Sequence, residues 1–341
     1  MKVETAKKPG LLAGATQWMR RRLWISAGAG GFVAVVVAFA ACGVLHPLRL
    51  TNEAVNLRLA MDGIHSRYVT VNGYRIHYYE GGPAATPHRP PVVLVHGLGG
   101  YAEQWAGLMV QLVAAHRRVY AMDLLGYGDS AKPKDASYSI PQEAGMVEGF
   151  LRARGIGDYD LGGWSMGGWV ALQVALGQNH ASPGRVRRLM LFDSAGLKYQ
   201  LDWNPNLFVP DTPAKLRALD KLLFPRPPVL PGFVTRAVVR QALREGWVIH
   251  RSMNSMLTGL DIEDGKLGQL KMPVLIVWGS EDHIIPLSVG ERMHAEIPQS
   301  ELEVFDGCGH LGPVQCAGRI GPRMIEFLDA HPPQAAGQET Y

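Results

Sequence analysis

A serine flanked by glycines stands near the middle of the chain, in the sequence Gly163-Trp164-Ser165-Met166-Gly167. A short run that predicts a strand precedes this sequence, and an apolar run that predicts a helix, residues 169–176, follows it. A G-x-S-x-G sequence in this context is typical of a sharp strand-to-helix turn that exposes the serine hydroxyl. Glycine permits the close backbone approach in such a turn, and the start of the helix directs N–H groups towards an anion. We therefore interpret Ser165 as a candidate nucleophile.

A serine hydroxyl is a weak nucleophile until a base accepts its proton, and the base needs a carboxylate to orient it. Two later predicted strands end in suitable residues, Asp282 after one and His310 after the next. The carboxyl ends of parallel strands share one edge of a sheet. We therefore expect Ser165, Asp282 and His310 to meet there, in the chain order that this kind of turn requires. Glu281 is the alternative carboxylate, and we prefer Asp282.

Two backbone N–H groups are expected to stabilise the negative charge of a tetrahedral intermediate. Met166, directly after the nucleophile, supplies one, and Leu98, in the turn that follows an earlier strand, supplies the other. In the same turn His96 is interpreted as a residue that organises the loop, and Asp123, at another strand end, as one that caps a loop. We expect no cofactor and no metal ion in this chemistry.

Alternating strand-like and helix-like segments surround these residues. A β-hairpin is predicted around Asn72-Gly73. Further strands are predicted near residues 91–95, 118–123, 158–164, 187–193, 273–279 and 301–305. Helical stretches between them indicate a mostly parallel sheet covered by helices. The alternation stops after strand six, where residues 199–270 hold many prolines and short amphipathic helices, and then resumes. We therefore predict an α/β fold with a helical cap inserted after strand six.

Length and charge limit the function classes. The chain has 341 residues, enough for one large α/β domain with an insertion, and 47% of them are hydrophobic. The net charge is +4, and residues 1–22 alone carry six Lys/Arg against Glu4. The rest of the chain is therefore close to neutral. Such a chain lacks the concentrated positive charge that nucleic-acid binding requires, and we exclude this function.

Residues 23–45 contain no charged side chain and are long enough to span a bilayer. Arg20-Arg21-Arg22 stand directly before them, whereas basic residues after them are sparse. The positive-inside rule then predicts a cytoplasmic N-terminus, an uncleaved single-pass anchor and an extracytoplasmic enzyme. The alternatives are a cleaved signal peptide, a lipoprotein processed at Cys42, or a buried helix.

Three cysteines are too few for a disulfide scaffold. Cys308 and Cys316 flank His310, and an extracytoplasmic location would permit them to pair. The distance between them does not follow from the sequence, and we expect two separate buried thiols.

The motifs together resemble the α/β-hydrolase family. They are His96-Gly97, Gly126-Tyr127-Gly128-Asp129-Ser130 after Asp123, the serine turn, the run from Trp278 to Pro286, and Gly307-Cys308-Gly309-His310. The resemblance covers about residues 68–331. Within the family, the N-terminal segment and the start of the cap resemble membrane-anchored monoacylglycerol lipases and related bacterial lipases and esterases. The expected organisation is a basic cytoplasmic N-terminus (1–22), a transmembrane anchor (23–45), a connector (46–66), a core in two parts (67–198 and 271–331), the cap (199–270) and a tail (332–341).

This resemblance implies a serine hydrolase that cleaves lipid-like carboxylic esters through a Ser-His-Asp triad. Apolar residues of the cap, such as Trp203 and Phe208, favour an acyl-chain substrate. The implied partners are a small lipid ester and a membrane, and the oligomeric state is left open. One alternative keeps the triad but cleaves a carbon–carbon bond. Another is a non-catalytic, membrane-anchored binding protein, which would not require all three triad residues.

Overall fold

The computed structural model describes residues 47–86, 88–177 and 185–332. The expected transmembrane anchor, residues 23–45, and the basic N-terminus lie outside these residues. Within the described ranges, no helix has the length and the apolar character needed to cross a membrane. Two compact units divide the chain, 1–50 and 51–341, and apart from residues 47–50 the features below belong to the second unit.

Eight strands form one sheet in the described part of the chain. They are β1 (Ile64–Val71), β2 (Tyr74–Gly81), β3 (Val92–Val95), β4 (Val119–Met122), β5 (Tyr159–Trp164), β6 (Val186–Phe192), β7 (Val274–Gly279) and β8 (Ser300–Phe305). Their order across the sheet is β1-β2-β4-β3-β5-β6-β7-β8. The pairs β1–β2 and β2–β4 are antiparallel, and all other pairs are parallel. The sheet is therefore mostly parallel, as the sequence predicts.

Helices cover the sheet in the described part of the chain. They are α1 (Pro47–Met61), α2 (Ala106–Ala114), α3 (Ile140–Ala153), α4 (Met166–Leu176), α5 (Pro213–Leu223), α6 (Gly232–Leu257), α7 (Leu287–Glu296), α8 (Gly312–Gln315) and α9 (Ala317–Ala330). Short 3-10 helices occupy Ala102–Trp105, Pro205–Phe208 and Leu267–Gln269.

The inner strands are buried on both faces. Every residue of β3, β4, β5 and β7 is buried. Alternate side chains of a strand point to opposite faces, and two hydrophobic clusters accordingly form, with Val93 and Leu161 in one and Leu94 and Phe192 in the other. This packing explains the continuous apolar runs in the sequence, and it holds the carboxyl ends of β5, β7 and β8 at one edge.

The segment between β6 and β7 forms a helical insertion over that edge. It contains α5, α6 and two of the 3-10 helices, and no strand is described within it. Hydrogen bonds attach it to the core: the indole N–H of Trp203 donates to the carbonyl of Ile284 over 2.8 Å, and the hydroxyls of Tyr127 and Ser252 lie 2.6 Å apart. The insertion therefore covers the ends of the strands that carry the candidate site.

At the end of the chain the sequence predicts one final helix, from about Pro313 to Leu328. The structure has two helices, α8 and α9, that meet at Cys316. Cys316 leaves helical geometry, with φ −114° and ψ 16°, and its side chain is bonded to Cys308. The covalent link fixes this residue beside the preceding loop, so the helix is interrupted there.

Candidate active site

Ser165 lies at the turn from β5 to α4 in a strained conformation, with φ 55° and ψ −120°. The neighbouring glycines make this turn possible. A Cβ on Gly163 would lie 2.2 Å from the carbonyl oxygen of Gly167, and one on Gly167 would lie 2.3 Å from that of Val95. Strain of this kind persists only where the surroundings enforce it, and it concentrates at functional sites.

The structure places His310 and Asp282 beside Ser165. The Oγ of Ser165 is 2.9 Å from the Nε2 of His310, and the Nδ1 of His310 is 2.8 Å from the Oδ2 of Asp282. All three side chains are buried. With Nδ1–H donating to the carboxylate, Nε2 is left free to accept the serine proton. The geometry therefore matches the arrangement expected for a nucleophile, a base and an orienting acid.

Further hydrogen bonds fix the orientations of the acid and the base. The Oδ1 of Asp282 accepts the backbone N–H groups of Ile284 and Ile285 at 2.8 and 3.0 Å. The indole N–H of Trp164 donates to the carbonyl of His310 at 2.7 Å. Glu281, the alternative acid, is exposed, and its backbone N–H donates to the carbonyl of Cys308. The side chains of the two adjacent acids thus diverge, and Asp282 is the one that contacts His310.

The two expected oxyanion donors also lie at the site. Met166 is the first residue of α4, so its N–H has no acceptor within the helix. Leu98 follows Gly97, where an added Cβ would lie 3.0 Å from the Cβ of Ser165. Both Leu98 and Met166 line the cavity at Ser165. Both residues therefore lie beside Ser165, where the oxygen of a tetrahedral intermediate would form.

His96 and Asp123 hold the loops around this position, as the sequence interpretation has it. His96 is fully buried, its Nδ1 is 2.8 Å from the carbonyl oxygen of Gly97, and its Nε2 accepts the N–H of Leu124 at 3.0 Å. Burial lowers the pKa of His96, which favours the neutral ring that these two bonds require. Asp123 accepts the N–H groups of Ala102 and Asp129, so it caps two loops at once.

A second Ser-His-Asp relay, which the sequence reasoning did not find, lies on the antiparallel side of the sheet. The Nδ1 of His77 is 2.7 Å from the Oδ2 of Asp123, and its Nε2 is 2.8 Å from the Oγ of Ser66. Ser66 lies within β1, with no helix N-terminus behind it to provide donors. We therefore interpret this relay as a link between β1, β2 and the loop after β4.

Asp193, at the end of β6, is another residue that the sequence reasoning missed. Its Oδ1 accepts the N–H of Gly279 at 2.7 Å, whereas its buried Oδ2 has no partner in the described chain. Burial, followed by the charge of Asp282, raises the pKa of Asp193 well above its usual range. Both causes favour the neutral form of this acid. Its position at a strand end was the available signal in the sequence.

Cys308 and Cys316 form a disulfide, with their Cα atoms 6.3 Å apart. This corrects the expectation of two separate thiols, because the turn after β8 brings the start of the His310 loop back to the end of α8. The bond closes a loop that contains His310, and the carbonyl of Cys308 also accepts the N–H of Glu281. One covalent link thereby restrains the loops that carry the base and the acid.

Removing this disulfide is expected to impair both stability and turnover. A loop of this length contributes about 2 kcal/mol through the unfolded state, and a looser His310 loop should lower kcat several-fold. A reductant should produce both effects in the parent, measured by thermal unfolding and ester hydrolysis. The matched control is the double variant Cys308→Ala/Cys316→Ala. Its thermal midpoint and kcat should be lower than those of the parent from the start, and the reductant should not change them. A parent that keeps its midpoint and kcat under full reduction would contradict this role.

A cavity of about 430 Å³ opens directly at Ser165. Its wall is mainly aliphatic and aromatic, and includes Trp169, Leu197, Leu201, Trp203, Phe208, Met253, Met256, Ile262, Ile284 and Ile285. Lys198 is the one charged side chain among the described residues that line it, and it is exposed. The volume of the cavity is typical of a small-molecule site. Its mainly apolar wall suits a ligand with an apolar chain.

Comparison with protein families gives a match over residues 92–319 to the model described as "Alpha/beta hydrolase family". This range contains all five of the expected site residues. It also contains β5 and α4, the strand and the helix that flank the serine turn.

Individual relatives include hydrolases of different substrates. The chain is 30% identical to the 2-hydroxymuconate semialdehyde hydrolase of Pseudomonas sp. (strain CF600), over 77% of this chain and 93% of that protein. It is 28% identical to Lipase 1 of Psychrobacter immobilis, over 75% and 81%. Among solved structures, it resembles a bacterial membrane phospholipase A with a TM-score of 0.76 and 25% identity, over 89% of this chain and 98% of the other.

Proposed function

Because the chain belongs to the alpha/beta hydrolase family, we propose that it is a serine hydrolase that cleaves carboxylic esters of lipid-like substrates. The observation that carries this proposal is the apolar cavity at the Oγ of Ser165. A lipase and a membrane phospholipase A among the similar proteins support the same substrate class. An acyl chain would occupy the cavity, with its ester carbonyl at the serine.

The reaction proposed for this site has two halves. The Oγ of Ser165 attacks the ester carbonyl carbon while the Nε2 of His310 accepts the hydroxyl proton. The backbone N–H groups of Leu98 and Met166 stabilise the oxyanion. Collapse of the intermediate breaks the bond to the alcohol, which takes the proton from His310, and leaves an acyl-enzyme. Water then attacks the acyl carbon by the same proton path and releases the acid.

Asp282 would act on the base and not on the substrate. A carboxylate at Nδ1 holds the ring in the tautomer that can accept the serine proton, and it stabilises the imidazolium that forms. Its second oxygen is fixed by two backbone N–H groups. The acid is therefore oriented before the substrate arrives, so no reorganisation is needed during the reaction.

Carbon–carbon bond hydrolysis is the second candidate function, favoured by the similarity to 2-hydroxymuconate semialdehyde hydrolase. A substrate that carries an acid group needs a cation or several donors in the pocket to compensate its desolvation. Lys198 is the one charged group in the described lining, and it is exposed at the wall. The aliphatic and aromatic remainder of the wall is better suited to an acyl chain than to a charged substrate.

We also propose that the enzyme is membrane-anchored through residues 23–45 and faces the extracytoplasmic side. The charge bias around that segment supports this orientation. The Cys308–Cys316 disulfide is a second support, since such bonds persist in oxidising compartments.

A series of p-nitrophenyl esters of increasing acyl length tests the substrate class. Each added methylene that enters the cavity is worth about 0.8 kcal/mol, so kcat/KM should rise about fourfold per carbon until the cavity is full. Met256→Trp, which narrows the cavity, should lower kcat/KM for long chains and leave acetate unchanged. Met61→Trp is the matched control, since Met61 is 67% exposed. A flat profile, together with turnover of a dienoate ring-fission product, would favour carbon–carbon hydrolysis instead.

A further inference from the structure

One face of α6 carries three exposed arginines one turn apart: Arg236, Arg240 and Arg244. Residues three and four apart lie on the same face of a helix, so Leu243, which is 59% exposed, lies among them. We call these four residues the arginine face. Arg236 and Arg240 have no salt bridge among the described residues, and Arg244 has only a 3.8 Å approach to Glu245. The charges of this face are therefore available to a partner.

The positive charge of the folded domain is concentrated in this part of the cap. Residues 213–257, which comprise α5 and α6, hold eight Lys/Arg and two Asp/Glu. The chain after residue 22 is close to neutral in total, so the rest of it must be acidic. A cationic surface on an otherwise acidic domain directs the domain towards an anionic partner.

The helix that carries the arginine face also contributes to the cavity at Ser165. Helix α6 ends at Leu257, which lines the cavity together with Thr258 and Gly259. The next residue, Leu260, is 84% exposed. At 1.5 Å per residue, the helix from Arg236 to Leu257 covers about 32 Å. The arginine face therefore occupies the first half of a helix that ends at the cavity wall, and the exposed Leu260 follows that end.

We propose that the arginine face docks the cap on an anionic lipid bilayer, with Leu243 and Leu260 entering the interface. This inference rests on the proposed function, since it presents the cavity mouth to lipid esters. Guanidinium groups bind phosphate through paired hydrogen bonds, and basic residues are attracted to anionic bilayers. Exposed leucines on a basic helix are typical of elements that lie in a membrane interface. A lipid combines the anionic group and the apolar chain that this surface requires.

The test compares two triple variants of the full chain in mixed micelles of neutral detergent and monoacylglycerol, with and without phosphatidylglycerol. Arg236→Gln/Arg240→Gln/Arg244→Gln removes the arginine face. Arg89→Gln/Arg152→Gln/Arg185→Gln removes the same charge from exposed residues at the opposite edge of the sheet. In the parent and the control, phosphatidylglycerol should lower the interfacial KM about tenfold, and high salt should abolish the effect. In the arginine-face variant, phosphatidylglycerol should not change the interfacial KM. Its kcat on a monomeric short-chain ester should stay at the parent value.

A second readout does not depend on turnover. The full chain with Leu243→p-benzoylphenylalanine, reconstituted in phosphatidylglycerol vesicles, should crosslink to lipid on irradiation, and the three arginine substitutions should abolish the crosslink. Lipid crosslinking by a protein that hydrolyses no ester would support docking and contradict the proposed function. Ester hydrolysis with an unchanged phosphatidylglycerol effect in the arginine variant would overturn the docking proposal alone. Crosslinks to a second copy of the chain in place of lipid would overturn it as well.

Discussion

Ser165→Ala is expected to lower kcat for ester hydrolysis by roughly 10⁴- to 10⁶-fold, because the variant has no nucleophile for the acyl-enzyme. The hydroxyl is the only group removed, and its bond partner, His310, stays held by Asp282 and Trp164. Residual activity would come from the oxyanion donors and substrate binding alone. The measurement is single-turnover and steady-state hydrolysis of a medium-chain p-nitrophenyl ester.

The fold of this variant should be unchanged, since a methyl group fits where Cβ and Oγ now lie. The thermal midpoint is the control, and it should stay within a few degrees of the parent value. Ser66→Ala is a matched control for the second relay, and it should retain parent activity. A Ser165→Ala protein with kcat within a few-fold of the parent would remove Ser165 from the mechanism.

Asp282→Asn should reduce kcat by about 10⁴-fold, the loss that accompanies the wrong histidine tautomer in a comparable triad. The amide keeps the size of the side chain, but its NH₂ group can face Nδ1 and favour the proton on Nε2. That nitrogen could then no longer accept the proton of Ser165. The defect should appear in kcat with little change in KM, because the acid contacts His310 and not the cavity.

Glu281→Gln is the matched control, one residue away and with the same change of charge. Its side chain is exposed, so kcat should remain within about twofold of the parent value. The measurement is kcat of the two variants, determined side by side over a range of pH. Loss of activity in Glu281→Gln with a functional Asp282→Asn would assign the acid to Glu281.

The sequence predicts the α/β fold well because its buried parallel strands are continuous apolar runs. It also predicts the residues that meet at the site, since each follows a strand and parallel strands end at a common edge. Ser165, Asp282 and His310 are far apart in the chain, yet strand order alone brings their loops together. The sequence leaves Glu281 as an alternative to the preferred Asp282, and in the structure it is Asp282 that contacts His310.

Features that depend on distance between loops could not be predicted. Pairing of Cys308 with Cys316 requires the return of the chain after β8, which no local pattern specifies, and the break in the final helix is a consequence of it. The raised pKa of Asp193 depends on complete burial and on the nearby Asp282. The arginine spacing on α6 was visible in the sequence, but the contribution of the end of this helix to the cavity wall required the position of Leu257.

Mass spectrometry of the acyl-enzyme tests most directly whether Ser165 is the nucleophile of an ester hydrolase. The full chain is mixed with a p-nitrophenyl octanoate, quenched in acid at the end of the burst, and digested for peptide mapping. We expect the added mass of one octanoyl group per chain, located on the peptide that contains Ser165 and absent from Ser165→Ala. Turnover of the ester without this adduct, in both the burst and the steady state, would contradict the assignment of Ser165 as the nucleophile. An adduct on Ser66 or on another residue would contradict it as well.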